Sequence, residues 1–182
     1  IEFEQMEHQF FCKEGTDSDY YNYYKKFAHD FFVDLGLNDQ KLRFKDHEKL
    51  AHYAKEACDV EYLFPMGWGE IYGNHNRTDY DLKRHQEFSG KSMEYLDPET
   101  NEKYIPYVIE SSCGADRLTL AILCDAYHEE ELEDKTTREI MKFHPAIAPY
   151  KLAVLPLIKK YHQEKAMEIY KQLSKNFMVN YD

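Results

Sequence analysis

A carboxylate, two hydroxyls, a thiol, a glycine, an aspartate and a guanidinium crowd into Glu110-Ser111-Ser112-Cys113-Gly114-Ala115-Asp116-Arg117. An arginine fork matches phosphate or carboxylate oxygens with paired N–H donors, and a glycine lets backbone amides come close to a ligand. The tyrosine- and β-branched-rich run Lys103 to Ile109 leads in as a strand. Leu118, Leu120, Ala121, Ile122, Leu123 and Ala126 follow at spacings that suit a buried helix. The polar cluster therefore falls where strand becomes helix. The same spacing also fits an ordinary strand-to-helix turn, with Gly114 as punctuation and Arg117 in a surface ion pair, since a lone Gly-x-x-Arg is a weak pattern.

A second stretch, Pro65-Met66-Gly67-Trp68-Gly69-Glu70-Ile71-Tyr72-Gly73, sets the single tryptophan and a carboxylate among three glycines and a proline. Such backbone permissiveness admits a ligand or a neighbouring strand at close range, or simply marks a glycine-rich bend with Trp68 in the core. At the start of the chain, Phe3, Gln5, Glu7, Gln9 and Phe11 alternate with Glu4, Met6, His8 and Phe10, a strand pattern with no clean apolar face. That strand either faces solvent at a sheet edge or lines a polar cavity. His47 and His52, five residues apart on an expected helix, do not share a helical face as a metal pair would, and read as surface histidines.

The elements that must position these groups are expected as follows. Ser18 caps a helix from Asp19 to Leu35, with Tyr20, Tyr23, Tyr24, Phe27, Phe31 and Leu35 as its core stripe and Gly36 as its stop. A short strand near Leu42 to Phe44 precedes a second helix, capped by Asp46 and continuing to Ala57, and Val60 to Phe64 forms another strand. Asn74 to Arg77 reads as irregular. Thr78 and Asp81 make a near capping box for a helix to Phe88 that Gly90 closes. Met93 to Leu96 and Lys103 to Ile109 flank the turn signal Asp97-Pro98-Glu99-Thr100-Asn101 as a hairpin. His128 to Glu139 reads as a charged, solvated loop. His144 to Pro149 reads as an extended linker, before a buried strand at Lys151 to Leu155, a helix over Ile158 to Phe177 opened by Pro156, and a strand at Val179.

The chain has 182 residues, with 23 basic and 34 acidic side chains and a formal net charge of −11, which disfavours general attraction to nucleic acid; an RNA partner would need a local patch. With 16 Tyr, 11 Phe and only 7 Gly, the interior is expected to be aromatic and well folded. Cys12, Cys58, Cys113 and Cys124 are too widely spaced for a zinc pattern and are expected as free thiols. Neither a membrane span nor a secretory signal is visible, so a cytoplasmic location is expected. The sequence opens in mid-strand without methionine, as a fragment would.

In family order, Glu2-Phe3-Glu4-Gln5-Met6-Glu7, Gly67-Trp68-Gly69-Glu70, Asn76-Arg77-Thr78-Asp79-Tyr80-Asp81-Leu82, Glu110 to Arg117 and His144-Pro145-x-x-Ala148-Pro149 closely resemble the single-subunit (dimeric type) glycyl-tRNA synthetases, class II aminoacyl-tRNA synthetases. Glu2 to Glu7 looks like the closing strand of class II motif 2, and Gly114 to Arg117 with its helix looks like motif 3. The resemblance implies an α+β fold, the class II antiparallel sheet flanked by helices. Residues 1–148 would be part of the catalytic domain and 149–182 the truncated start of an α/β anticodon-binding domain. Ile1 stands where the family usually has arginine, and Ser111 where many relatives have proline.

By the same resemblance the parent enzyme activates glycine with ATP and passes it to tRNA(Gly), as a homodimer. Arg117 and Glu70 would be catalytic, with Arg117 on the phosphates and Glu70 a Mg²⁺ ligand. ATP would meet Glu70, Ile71, Gly114, Ala115, Asp116 and Arg117. Glycine would meet Phe3, Glu4, Gln5, Met6, Glu7, Glu110, Ser111, Ser112, Cys113 and Gly114, with Glu7 and Glu110 facing its amino group and Gln5 and Ser112 completing the pocket. A synthetase-like accessory or nucleic-acid-binding subunit without catalysis is the alternative; retention of Glu7, Glu70, Glu110, Ser112 and Arg117 together argues against it.

Overall fold

The computed structural model describes residues 3–182, so Ile1 and Glu2 of the first matching run lie outside the described residues. The chain divides into two compact units, Ile1–Met141 and Lys142–Asp182.

The first unit runs β1 (Gln5–Cys12), α1 (Asp17–Asp34), a single 3-10 turn (Asp39–Lys41), β2 (Leu42–Asp46), β3 (Glu56–Phe64), β4 (Gly67–Asn76), α2 (Tyr80–Ser89), β5 (Tyr95–Leu96), β6 (Lys103–Tyr104), β7 (Tyr107–Gly114), α3 (Ala115–Ala126), β8 (Tyr127–Glu131) and β9 (Thr137–Met141). Its main sheet has five strands in the order β1-β7-β4-β3-β2, with every neighbouring pair antiparallel. Local hairpins supply β2-β3-β4, whereas β7 arrives from farther along the chain and slots between β1 and β4. Both α1 and α3 cover one face. Ala28 and Phe32 of α1 and Leu118 and Ala121 of α3 pack with Val60, Tyr62, Phe64, Ile71 and Cys113 into the principal core, while Tyr21, Cys12, Cys58 and Ile109 form a second cluster. A buried polar group joins α1 to the sheet. Asn76 Nδ2 donates to Asp17 Oδ2 at 2.7 Å and Lys55 Nζ meets the same oxygen at 2.7 Å, while Asn74 Nδ2 donates to the Tyr21 carbonyl at 3.0 Å.

The structure corrects several sequence-based expectations. On α1, Tyr20, Tyr23, Phe27 and Phe31 are exposed, and the buried side chains are Asp17, Tyr21, Ala28 and Phe32. A helix rich in aromatics all round has no single apolar stripe to read, and the sheet takes the face on which the small Ala28 permits close approach. The Phe27 and Phe31 rings stack with one another instead, centroids 6.2 Å apart. Ser18 does not cap the helix; Thr16 is the N-cap and Ser18 Oγ donates to Glu56 Oε2 at 3.0 Å.

No helix spans 46–57. Asp46 ends β2 paired with Cys58, and its carboxylate binds Lys25 Nζ at 2.6 Å rather than capping a turn. The supposedly irregular Asn74 and Asn76 are the buried end of β4. Helix α2 begins after Asp79 without a side-chain cap, and Gly90 closes it in the left-handed conformation, φ 67°, as a C-cap glycine does. β5 and β6 form the expected hairpin. The acidic segment after α3 is also a hairpin, β8 against β9, in which Arg138 Nε donates to Glu130 Oε2 at 2.8 Å across the ladder. Leu120 and Leu123 of α3 lie exposed on the side away from the sheet.

The second unit is a βαβ arrangement of β10 (Leu152–Val154), α4 (Lys159–Leu173) and β11 (Val179–Tyr181), with β10 and β11 parallel. Residues 144–148 form a turn rather than an extended linker. The amides of Ile147 and Ala148 both donate to the His144 carbonyl at 3.0 Å, and Lys151 Nζ gathers the carbonyls of Pro145, Ala146 and Ala148. The strand expected to be buried at 151–155 is not: Leu152 is 40% exposed and Leu155 67%. With one helix and two strands, this unit buries little beyond Ala166 and Val179.

Candidate active site

Strand register sorts the polar residues between the two faces of the sheet. Ser112 lies opposite Glu7 on β1 and Gly73 on β4, Glu110 opposite Gln9 and His75, and Gln5 opposite Gly114. Residues directly opposite one another share a face, so Gln5, Glu7, Gly73, His75, Glu110 and Ser112 occupy the face that α1 and α3 leave open. The intervening residues face the helices: Met6, Ser111 and Cys113 line a groove against α1. Ser111 Oγ bonds Asn74 Oδ1 at 3.3 Å, and Cys113 is a core residue whose thiol burial pushes upward in pKa. The period of two in a strand thus removes the side chains of Met6, Ser111 and Cys113 from the expected glycine pocket, although the three lie within the matching runs.

Glu70 reaches the open face through a β-bulge. Val60 pairs with Tyr72 but Glu61 with Glu70, so Ile71 is the extra residue. Residues three apart on a regular strand point to opposite faces; the bulge brings Glu70 and Gly73 to the same one and sends Ile71 into the core. Gly73 is the floor here. A Cβ on it would meet His75 Cε1 at 3.0 Å, Ser112 Oγ at 3.4 Å and Glu70 Oε1 at 3.6 Å.

Beside this floor is a cleft of about 410 Å³ lined by Phe3, Glu4, Gln5, Glu70, Ile71, Ser112, Gly114, Asp116 and Arg117. Residues from β1, β4, β7 and α3, distant in sequence, meet in it. Ala115 contributes its backbone, donating to the Glu4 carbonyl at 3.0 Å and tying the start of α3 to β1. Arg117 Nη1 donates to the Glu70 carbonyl at 2.9 Å and lies 3.7 Å from Glu70 Oε2. The first turn of α3 has no side-chain cap, so its amide dipoles add to the Arg117 charge and favour an anion at this end of the cleft.

Glu110 is held by Arg77, which lies in one of the matching runs but has no site role from the sequence. Arg77 Nη1 donates to Glu110 Oε1 at 3.1 Å and its Nε to Asp81 Oδ2 at 2.7 Å, while the guanidinium lies 4.0 Å over the Tyr53 ring. The Asp81 hydrogen bond, with Glu110 adding to it, raises the pKa of Arg77 and keeps it charged. Glu7 pairs with Ser112 in the ladder, and among the described residues its carboxylate has no ion-pair or hydrogen-bond partner. Burial holds the pKa of His75 below its usual value, opposed by Glu110 and Asp59, and Nδ1 of His75 is buried without a partner. Arginine and a helix start at one end, with carboxylates at the other, suit a small zwitterion beside a polyanion. Gly73, His75 and Arg77 fall in runs that the sequence singles out but have no role there; the signal that finds them is the two-residue period of β4, carried one residue past its end, read outward from its pairing with Glu110 and Ser112.

The chain is 57% identical over 183 residues to a glycine–tRNA ligase of Geobacillus kaustophilus, covering 100% of this chain and 40% of that protein. Against the glycine–tRNA ligase of Clostridium acetobutylicum it is 56% identical, again over 100% of this chain and 39% of the relative. Over its whole length the chain is similar to glycine–tRNA ligases. It spans about two fifths of the length of these relatives. Its fold is that of a class II synthetase: the Giardia lamblia prolyl-tRNA synthetase, solved in complex with prolyl-adenylate, matches it with a TM-score of 0.63 at 16% identity, over 98% of this chain and 34% of that one. No protein-family model matches the chain. Among the described residues no helix is long and apolar enough to cross a membrane.

Proposed function

We propose that the cleft is the glycine-activating site of a single-subunit, dimeric glycine–tRNA ligase, a cytoplasmic enzyme that joins glycine to tRNA(Gly) at the expense of ATP. The observation that carries this reading is the meeting of Glu70, Ser112, Gly114 and Arg117 around one cleft, in a chain similar from end to end to glycine–tRNA ligases. Glycine's carboxylate attacks the α-phosphorus of ATP, pyrophosphate leaves to give glycyl-adenylate, and a hydroxyl of the tRNA 3′ end then takes the glycyl group with AMP as the leaving group. Neither step needs a protein nucleophile, so positioning and charge stabilisation supply the catalysis.

Arg117 grips ATP phosphate oxygens, with the amides at Gly114, Ala115 and Asp116 beside it, and Ile71, its side chain in the core, offers the nucleotide only its backbone. Glu7 and Glu110 receive the ammonium group of glycine, Arg77 holding Glu110 in place. Gln5 and Ser112 complete the pocket, with Phe3 and Glu4 on its wall, and Gly73 leaves room for a substrate with no side chain. Glu70, an exposed carboxylate on the cleft wall, fits Mg²⁺, which usually takes one or two carboxylates together with substrate phosphates and neutralises their charge when bound. Residues 1–148 would then belong to the catalytic domain and 149–182 to the start of the anticodon-binding domain.

Glycine-dependent exchange of pyrophosphate into ATP, measured on this chain and on the full-length protein, tests the reading. Exchange by the full-length protein that depends on glycine supports it. ATP binding with no exchange under any of the proteinogenic amino acids refutes it.

A further inference from the structure

The sheet carries a second chemical cluster beside the cleft that the proposed reaction does not use. His47, Asp59 and His75 each present one ligand atom, and these atoms all lie within 4.8 Å of one another. His47 follows β2, its amide donating to the Ala57 carbonyl at 3.0 Å, and Ala57 pairs with His75. The two imidazoles thus flank the small Ala57 side chain, ring centroids 5.7 Å apart and nearly perpendicular. Asp59, two residues beyond Ala57 on the same face, places Oδ1 2.9 Å from His47 Nε2. Strands β3 and β4 carry Asp59 and His75, and the backbone bond to Ala57 holds His47 just past the end of β2, so the cluster is built rather than casual.

From this geometry we infer that His47, Asp59 and His75 bind a divalent transition-metal ion of the zinc class. Two imidazoles and one carboxylate form the donor set of zinc sites that keep a position open; Mg²⁺ and Ca²⁺, which prefer all-oxygen shells, are disfavoured. Bonds of about 2.0–2.1 Å place tetrahedral ligands about 3.3 Å apart, so closure needs only small side-chain movements. A His47–Asp59 hydrogen bond by itself leaves His75 Nδ1 buried and unpartnered; coordination by His75 gives that ring a role. Glu110, opposite His75 in the ladder and braced by Arg77, adds a negative charge on the same face. The ion would clip the end of β2 to β3 and β4, and it would do so whether or not the cleft activates glycine.

The test is titration of the metal-stripped 182-residue chain with Zn²⁺ alone, by calorimetry and thermal unfolding, with Co²⁺ absorption as a second readout. One ion per chain is expected. His47→Gln, Asp59→Asn and His75→Gln should each weaken it at least tenfold, the scale already seen for losing an outer partner. His85→Gln, at an exposed histidine outside the cluster, should leave affinity unchanged. Undiminished affinity in the three cluster variants, or equal loss in His85→Gln, overturns the inference. Should those variants unfold, the wild-type chain decides: saturating Zn²⁺ must shift the ring-nitrogen NMR signals of His47 and His75 and not those of the other histidines.

Discussion

Arg117 leaves the first turn of α3 with its side chain 56% exposed, and Glu70, its partner at 3.7 Å, is 48% exposed. An exposed pair of this kind contributes about 0–1 kcal/mol to folding, so Arg117→Ala should lower the melting temperature by no more than about 4 °C, given roughly 2–4 °C per kcal/mol for a chain of this size. Its effect on catalysis is expected to be far larger. Two charge-assisted hydrogen bonds to phosphate, at about 1.5–3 kcal/mol each, amount to about 3–6 kcal/mol, or a loss of roughly 10²- to 10⁴-fold in glycine-dependent pyrophosphate exchange. Arg117→Lys keeps the charge but loses the planar fork, and should behave more like alanine than like wild type. The assays are exchange on the full-length protein and thermal unfolding on the 182-residue chain. Near-normal exchange in Arg117→Ala would falsify the phosphate role; a collapse of stability parallel to activity would show that the side chain is structural.

Three further perturbations follow from the geometry. Gly73→Ala sets a methyl 3.0 Å from His75 Cε1 and close to Ser112 Oγ; overpacking of about 1–3 kcal/mol at the pocket floor should raise KM for glycine by roughly 5- to 150-fold, and an unchanged KM would show that glycine does not sit there. Ser112→Gly widens the same pocket and should relax discrimination against alanine, an effect bounded by the about 1–3 kcal/mol that one methyl is worth; measured side by side with glycine, unaltered alanine activation would remove Ser112 from the specificity surface. Asp17 is buried, which by itself would raise its pKa, but hydrogen bonds from Lys55 and Asn76 lower it overall. A lowered folded-state pKa means stabilisation that is complete above the unfolded value near 3.9 and is lost as pH falls through the folded value. Asp17→Asn should therefore cost about 1–3 kcal/mol at neutral pH in denaturant unfolding, with the gap to wild type closing in acid; a gap independent of pH would contradict the assignment.

Local sequence determined a good deal. The strand-to-helix junction at Gly114, the turn between β5 and β6, the C-cap at Gly90 and the β10-α4-β11 order were legible because each depends on neighbours in the chain: glycine conformations, turn residues and short-range periodicity. The ordered runs from Glu2 to Pro149 were enough to indicate the family resemblance. Tertiary structure alone decided which residues share a space. Two aromatic faces on α1 compete for one sheet, and only packing selects Tyr21, Ala28 and Phe32. The stretch after Asp46 has helix-like composition, yet pairing with β3 claims its first residue. Above all, the insertion of β7 between β1 and β4 sets the register, and register puts Ser112 and Glu110 over the open face while turning Ser111 and Cys113 toward α1. A bulge at Ile71 then redirects Glu70 to join them. Side-chain direction in a sheet alternates residue by residue, so a one-residue shift reverses it; that information lies in the pairing of distant strands rather than in either strand's own sequence.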